Sequence, residues 1–196
     1  KAQQDAPAAG KPGAVILVVG DSLSAEYGLK RGEGWVSLLG KRIADQRIAA
    51  SVVNASISGD TTSGGRSRLP ALLSQHKPTH VILELGGNDA LRGLALKSTE
   101  DNLNQMTRAA QAAGAKVLLV GMQVPPNYGA DYTRKFEELF KTVATSNKAA
   151  LVPFLLKGVA DVQEAPALFQ TDRIHPAAVA QPRMLDNVWP ELKKLL

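Results

Sequence analysis

Short apolar runs of strand length alternate with longer amphipathic stretches from residue 14 to the C-terminus. The apolar runs are nearly continuous in Val, Ile, Leu and Ala, which is typical of parallel strands covered on both faces. The predicted strands span residues 14–19, 51–54, 80–85, 116–120 and 150–154. This alternation predicts one α/β domain, residues 14–196, built on a mostly parallel sheet of five strands.

The amphipathic stretches between these runs predict helices. Apolar side chains recur at near-helical spacing over residues 35–48, 98–110, 132–143 and 184–195. Ser98 is predicted to cap the second of these helices, and Gly114 is predicted to end it. Pro70, Pro182 and Pro190 should begin, kink or break the helices in which they lie.

Polar residues follow four of the predicted strands. The polar loops span residues 20–24, 56–60, 86–89 and 172–176. Ligands of an open parallel sheet bind outside the carboxyl ends of its strands, so these loops are expected to share one rim. They could place a hydroxyl, backbone and side-chain amides, a carboxylate and an imidazole close together. Asp21 and Asp60, in two of these loops, are interpreted as acceptors that shape the loops.

This set of groups is the one that a serine hydrolase needs. A serine hydroxyl attacks an ester only when an imidazole takes its proton, and a carboxylate must fix the tautomer of that imidazole. Ser22, His175 and Asp172 supply these groups, and Asp172 is close enough in sequence to fold back onto the His175 ring. The negative charge that develops on the substrate also needs preset N–H donors. The Ser22 N–H, the Gly59 N–H and the Asn88 side-chain amide are the candidates.

Four ordered blocks resemble the GDSL, or SGNH, hydrolase family. The blocks span residues 20–24, 54–61, 85–89 and 172–176. The second and third blocks most resemble the branch of bacterial periplasmic thioesterases that also act as proteases and lysophospholipases. The resemblance implies a flavodoxin-like three-layer α/β/α fold, with Ser22 as nucleophile, His175 as base and Asp172 as its orienting partner. Gly59 and Asn88 would then complete the oxyanion hole with the Ser22 N–H.

The same resemblance implies that the loop after the fourth predicted strand, residues 122–129, helps to bind the acyl chain. The candidate contacts are Met122, Val124, Pro125 and Tyr128. An ordinary connection packed on a helix explains this loop equally well. Arg173 departs from the family pattern, which often has a small residue there, and a long cation could change access to the imidazole.

The composition of the chain and its departures from known motifs exclude several classes of function. Cysteine is absent from the 196 residues, which excludes disulfides and thiolate chemistry. The formal net charge is +5 without a run of like charge, so nucleic-acid binding is not expected. Gly65 stands where a phosphate-binding loop needs lysine, and Ser24 replaces the second glycine of a nucleophile elbow. The histidines lie far apart, with His76 and His80 predicted at the opposite end of the sheet, so no metal or other cofactor is expected.

We therefore expect a serine hydrolase that cleaves fatty acyl esters or thioesters through a covalent acyl-enzyme. A lysophospholipase and a carbohydrate acetylesterase remain open within this class. A noncatalytic flavodoxin-like module that binds an anion is the alternative from another class. The small, polar residues 1–13 predict a flexible start of an exported, periplasmic protein whose signal peptide has been removed. No apolar run is long enough to cross a bilayer, and a monomer is expected.

Overall fold

The computed structural model describes residues 3–4 and 13–196. Most of the segment predicted to be flexible, residues 1–13, therefore lies outside the described residues. Five strands are parallel and begin and end close to their predicted bounds. They are β2 (Ala14–Gly20), β3 (Ala50–Asn54), β4 (His80–Glu84), β5 (Lys116–Val120) and β6 (Ala150–Val152). The five-stranded parallel sheet predicted from the hydrophobic pattern is thus confirmed.

A further short strand lies at one edge of this sheet. In β1 (Gln3–Gln4), Gln3 pairs with Asn54 and Gln4 with Val53 in antiparallel register. The strand order within the described residues is β1-β3-β2-β4-β5-β6. The sequence does not predict β1, because two adjacent glutamines carry no hydrophobic alternation.

Helices cover both faces of the sheet. They are α1 (Trp35–Asp45), α2 (Thr62–His76), α3 (Gly87–Leu91), α4 (Leu96–Ala112), α5 (Ala130–Asn147), α6 (Ala165–Leu168) and α7 (Gln181–Lys193). On one face α1 packs against α7, and on the other α4 packs between α2 and α5. The three-layer α/β/α fold is confirmed. Within residues 3–4 and 13–196, no helix combines the length and apolar character that crossing a bilayer requires.

The core fills the space between the layers. The side chains of β2 from Ile16 to Val19 are fully buried, and so are Trp35 of α1 and Phe136 of α5. Because helices cover the central strands on both faces, these strands are apolar at consecutive positions rather than at alternate ones. The regular core leaves the loops at the carboxyl edge free to carry polar side chains.

The structure corrects the predicted start of α4 and narrows the prediction made for two of the prolines. Ser98 does not cap α4, because the helix begins two residues earlier, at Leu96, and its N-cap residue is Ala95. Pro70 and Pro190 lie inside α2 and α7 without ending them. Pro70 is on the exposed face of α2, where water can reach the carbonyl that loses its N–H donor.

Two other helix signals agree with the structure. Pro182 lies in the first turn of α7, where the missing N–H costs nothing. Gly114 follows the end of α4 with a φ of +90°, a conformation that favours glycine. His80 is buried at the start of β4, the end of the sheet at which it was predicted, and contacts Thr79 Oγ1 and the Leu195 carbonyl.

Candidate active site

Ser22 lies in a tight turn directly after β2. The Asp21 carbonyl accepts hydrogen bonds from the N–H groups of Ser24 and Ala25, and Asp21 Oδ1 accepts one from the Leu23 N–H at 3.0 Å. Asp21 therefore shapes the turn, as the sequence predicted. The turn holds the Ser22 hydroxyl at the carboxyl edge of the sheet.

The structure brings Ser22, His175 and Asp172 into one hydrogen-bonded chain. Ser22 Oγ lies 3.0 Å from His175 Nε2, and His175 Nδ1 lies 2.6 Å from Asp172 Oδ2. A carboxylate can only accept, so Nδ1 must carry a proton and Nε2 is left to accept from the serine hydroxyl. This arrangement is the one required for an imidazole to withdraw the Ser22 proton.

Asp172 is held as a carboxylate by the turn that it shares with His175. Its Oδ1 accepts hydrogen bonds from the N–H groups of Ile174 and His175, at 2.9 and 3.0 Å. The backbone N–H of His175, followed by its imidazole and the N–H of Ile174, lowers the pKa of Asp172 to about 2. Asp172 is thus ionised across the pH range in which esterases are assayed.

A neighbouring segment fixes this turn to the rest of the site. The Gln170 carbonyl accepts a hydrogen bond from the Arg173 N–H. The side-chain Nε2 of Gln170 donates to the carbonyls of Tyr27 and Pro176. The Tyr27 ring lies 4.3 Å from the His175 ring between centroids. Sequence reasoning missed both Gln170 and Tyr27, since neither residue belongs to a polar block after a strand.

Arg173, the departure from the family pattern, lies within this turn. Its φ is +61°, in the left-handed region that side chains other than glycine adopt only at some cost. Its side chain is exposed. The arginine therefore points outward from the turn, and it contributes a positive charge to the surface beside His175.

The three candidate N–H donors belong to the segments that follow β2, β3 and β4. Within residues 13–196, the backbone N–H groups of Ser22 and Gly59 donate to no protein acceptor. Gly59 is exposed with a φ of +84°, and a Cβ there would meet nothing within 4 Å. Asn88, in the first turn of α3, donates one Nδ2 hydrogen to the Asp60 carbonyl at 2.9 Å. That bond orients the amide and leaves its second hydrogen for another acceptor.

Arg68 of α2 holds the Gly59 loop against the Ser22 turn. Its Nε lies 2.8 Å from Asp60 Oδ2, and its guanidinium also donates to the Ala55 carbonyl and, at 3.5 Å, to the Gly20 carbonyl. Asp60 thus shapes its loop, as predicted. Arg68 was missed because α2 is rich in Ser and Gly and gives no helical hydrophobic pattern.

A buried carboxyl pair lies beneath the Ser22 turn. Glu84, at the end of β4, is fully buried, and its Oε1 accepts from Ser24 Oγ at 2.6 Å and from the Asp21 N–H at 3.4 Å. Burial, and then the charge of Asp21, raise the pKa of Glu84 well above its ordinary value, and burial raises the pKa of Asp21 to about 6. Glu84 therefore keeps its proton to a higher pH than an ordinary carboxyl group does.

One oxygen of Glu84 has no partner in this site. Glu84 Oε2 is buried and makes no hydrogen bond with any group in residues 13–196. A neutral carboxyl group tolerates such a position better than a carboxylate does, which agrees with the raised pKa of Glu84. Sequence reasoning missed Glu84, although a charged residue that ends a continuous apolar strand is a usable signal.

The candidate acyl-binding loop follows β5 at the same edge of the sheet. Met122 is only 9% exposed and lies in the core, whereas Val124 and Tyr128 are half-buried and Pro125 is exposed. The Tyr128 ring lies 5.9 Å from the Tyr132 ring of α5. Met122 thus offers the least surface of the four candidates, and the role of this loop stays a prediction.

Comparison with known proteins places these features in a wider group. The family described as GDSL-like lipase/acylhydrolase matches residues 18–181. The esterase TesA of Pseudomonas aeruginosa is 56% identical over 181 residues, which cover 92% of this chain and 89% of the relative. The thioesterase 1/protease 1/lysophospholipase L1 of Escherichia coli K12 is 41% identical, over 92% of this chain and 84% of the relative.

A solved structure extends the comparison. The crystal structure of the psychrotrophic esterase EstA from Pseudoalteromonas sp., inhibited by monoethylphosphonate, superposes with a TM-score of 0.87 and 40% identity. The match covers 92% of this chain and 97% of EstA. The fold and the sequence therefore agree on one group of relatives.

Proposed function

The chain belongs to the GDSL-like lipase/acylhydrolase family and is a carboxylic ester hydrolase, and we propose that Ser22 is its nucleophile. His175 is the general base and Asp172 the group that orients it. The observation that carries this assignment is the chain of hydrogen bonds from Ser22 Oγ through His175 to Asp172. Ester hydrolysis is favoured over the noncatalytic anion-binding alternative.

The proposed reaction has two halves. Ser22 Oγ attacks the carbonyl carbon while His175 Nε2 takes its proton, and the tetrahedral intermediate then expels the alcohol or thiol, which leaves with that proton. Water attacks the acyl-Ser22 ester with the same base assistance and releases the acid. Asp172 keeps the proton on Nδ1 throughout and stabilises the imidazolium that forms.

The negative charge on the former carbonyl oxygen is stabilised by three donors. They are the N–H groups of Ser22 and Gly59 and the second Nδ2 hydrogen of Asn88. Preset donors of this kind stabilise the transition state because they need no reorganisation when the charge develops. The bond from Asn88 to the Asp60 carbonyl supports this role, because it fixes the amide before substrate binds.

The proposed substrates are fatty acyl esters and acyl thioesters. The names of the relatives, an esterase and a thioesterase that is also a lysophospholipase, support this class. The exposed Pro125 and half-buried Val124 offer apolar surface in the loop that follows β5. We propose that they contact the acyl chain.

Hydrolysis of a water-soluble ester and a thioester tests the function. Wild-type protein and the variants Ser22→Ala and Ser98→Ala are compared on p-nitrophenyl butyrate and butyryl-CoA. Ser98 is an exposed serine on α4, so its replacement controls for the loss of a hydroxyl. We expect Ser22→Ala to lower kcat by roughly 10⁴-fold or more and Ser98→Ala to leave it unchanged. Turnover by Ser22→Ala near the wild-type rate would contradict the assignment.

The periplasmic location stays a prediction, since it rests on the composition of residues 1–13. Fractionation of cells that express the full-length gene tests it. Release of the protein with the periplasmic fraction is the expected result, and retention with a cytoplasmic marker would contradict it.

A further inference from the structure

The strongly exposed apolar side chains are concentrated on one side of the molecule. Within residues 13–196, seven large apolar side chains are strongly exposed, and six of them lie at the carboxyl edge of the sheet. The six, which we call the apolar rim, are Tyr27, Ile57, Leu91, Leu94, Ile174 and Val179. They are between 40% and 64% exposed. The seventh, Leu196, is at the C-terminus.

Four residues of the apolar rim lie in the segments that carry the candidate site residues. Tyr27 contacts the His175 ring, and Ile174 directly precedes His175 in the chain. On the side of Gly59, the Ile57 N–H donates to the Gly20 carbonyl at 3.0 Å. Leu91 lies on α3, one turn after Asn88. Each loop that carries a candidate catalytic or oxyanion residue therefore also carries an exposed apolar side chain.

This distribution indicates a binding surface. Single exposed apolar side chains are common on protein surfaces, but a group of them around one site marks a place where another molecule binds. Leu91 and Val179 are 63% and 64% exposed, so most of their side-chain surface lies outside the protein. A single acyl chain in a groove would bury its contacts deeply, whereas outward-facing side chains suit a broad apolar surface.

The exposed charges beside the rim are mostly positive. In the loops that carry the rim, the exposed charged side chains are the cations Lys30, Arg31, Arg92 and Arg173 and one carboxylate, Asp172. The other carboxylates of these loops are buried or half-buried and accept hydrogen bonds within the protein. They are Asp21, Glu26, Glu33, Asp60 and Asp89. The rim therefore combines exposed apolar side chains with positive charge, in a chain whose formal net charge is +5.

We propose that the apolar rim docks on an anionic lipid surface and brings Ser22 to acyl esters held there. Apolar side chains enter the boundary between head groups and acyl chains, while Lys and Arg pair with anionic head groups. The proposal rests on the proposed function, since it explains how an acyl hydrolase reaches aggregated substrate. A second copy of this chain fits less well, because a symmetric contact would bring the same four cations together.

Vesicle binding by a catalytically inert protein tests the proposal. The Ser22→Ala protein is sedimented with vesicles of phosphatidylcholine containing one third phosphatidylglycerol, and with vesicles of phosphatidylcholine alone. Two further proteins carry Ser22→Ala together with either Leu91→Ser and Val179→Ser or the control change Leu196→Ser. We expect binding to the anionic vesicles that falls about tenfold in the rim variant and is unchanged in the Leu196→Ser control. High salt should weaken the binding.

Three outcomes would overturn the proposal. One is the absence of binding to the anionic vesicles, and another is equal binding by the rim variant and the control. The third is a concentration-dependent dimer in sedimentation velocity that the rim changes abolish. Hydrolysis of p-nitrophenyl butyrate is also measured, in proteins that retain Ser22. This measurement distinguishes a failure of the docking proposal from a failure of the proposed function. Turnover without vesicle binding would reject the docking surface alone, and vesicle binding without turnover would reject the hydrolase mechanism alone.

Discussion

At the scale of single residues, the candidate site depends on hydrogen bonds that leave specific atoms available. Asn88 illustrates this, because its bond to the Asp60 carbonyl uses one Nδ2 hydrogen and orients the other. Five site residues, Ser22, Gly59, Asn88, Asp172 and His175, were predicted from their types and their positions after strands. Glu84, Arg68, Gln170 and Tyr27 were not, because their contacts come from distant parts of the chain and no local pattern records them.

Replacing Asn88 tests the oxyanion hole. Asn88→Ala removes the amide donor, so we expect kcat to fall by roughly 100-fold or more, with little change in KM for a small ester. Steady-state kinetics on p-nitrophenyl butyrate provide the measurement. Asn104→Ala, on α4, is the matched control and should leave kcat unchanged. An unaltered kcat in Asn88→Ala would remove Asn88 from the oxyanion hole.

Replacing Glu84 tests whether the carboxyl group beneath Ser22 acts as a neutral group. Glu84→Gln is uncharged and keeps an acceptor for Ser24 Oγ, so its kcat should stay within roughly threefold of wild type. Glu84→Ala removes this acceptor and leaves a cavity, and it should lower the free energy of unfolding by roughly 2 kcal/mol or more. Denaturant unfolding and kinetics provide the measurements. If Glu84→Gln were as damaging as Glu84→Ala, Glu84 would have to act as an anion.

The same pair predicts a pH dependence of stability. Asp21 and Glu84 have raised pKa values, so the folded state binds their protons more tightly than the unfolded state does. The free energy of unfolding should therefore fall as the pH rises above the ordinary values of 3.8 and 4.5, and the Asp21 contribution should level off above about 6. In Glu84→Gln the Glu84 contribution is absent, so this variant should gain stability relative to wild type as the pH rises. If the free energies of unfolding of the two proteins differed by the same amount at every pH, the raised pKa of Glu84 would be contradicted.

At the scale of elements, the sequence predicts the strands better than the helices. Each parallel strand is a continuous apolar run, so burial on both faces is visible in the sequence. The helix α2 is not evident from the sequence, because its residues include two glycines and Pro70 and only a few of them are buried. The Gly64 N–H donates to Oγ1 of the N-cap residue Thr61 at 3.2 Å, and this hydrogen bond helps to start the helix.

Arg68 tests whether α2 positions the oxyanion loop. Arg68→Ala breaks the contacts with Asp60 and with the Ala55 and Gly20 carbonyls, so Gly59 should lose its fixed position. We expect kcat to fall by roughly tenfold or more, since small displacements of catalytic groups are costly. Arg66→Ala, on the same helix with a contact to Asn102, is the matched control and should retain kcat. Equal activity of the two variants would show that Arg68 does not position the loop.

At the scale of the whole molecule, the candidate site lies at the carboxyl edge of the sheet of a three-layer fold. The sequence predicts this edge because polar blocks follow apolar runs, and parallel strands bring those blocks together. It does not predict the apolar rim, because exposure depends on how the loops pack. The family places the chain among ester hydrolases, and the hydrogen bonds around Ser22 indicate how such a reaction would proceed.

Labelling with a fluorophosphonate tests the nucleophile most directly. Intact mass spectrometry of the wild-type protein should show one adduct, and peptide mapping should place it on Ser22. The Ser98→Ala variant should be labelled in the same way, while Ser22→Ala should remain unlabelled although folded. Labelling of Ser22→Ala, or an adduct mapped to another residue of the wild-type protein, would contradict Ser22 as the activated serine.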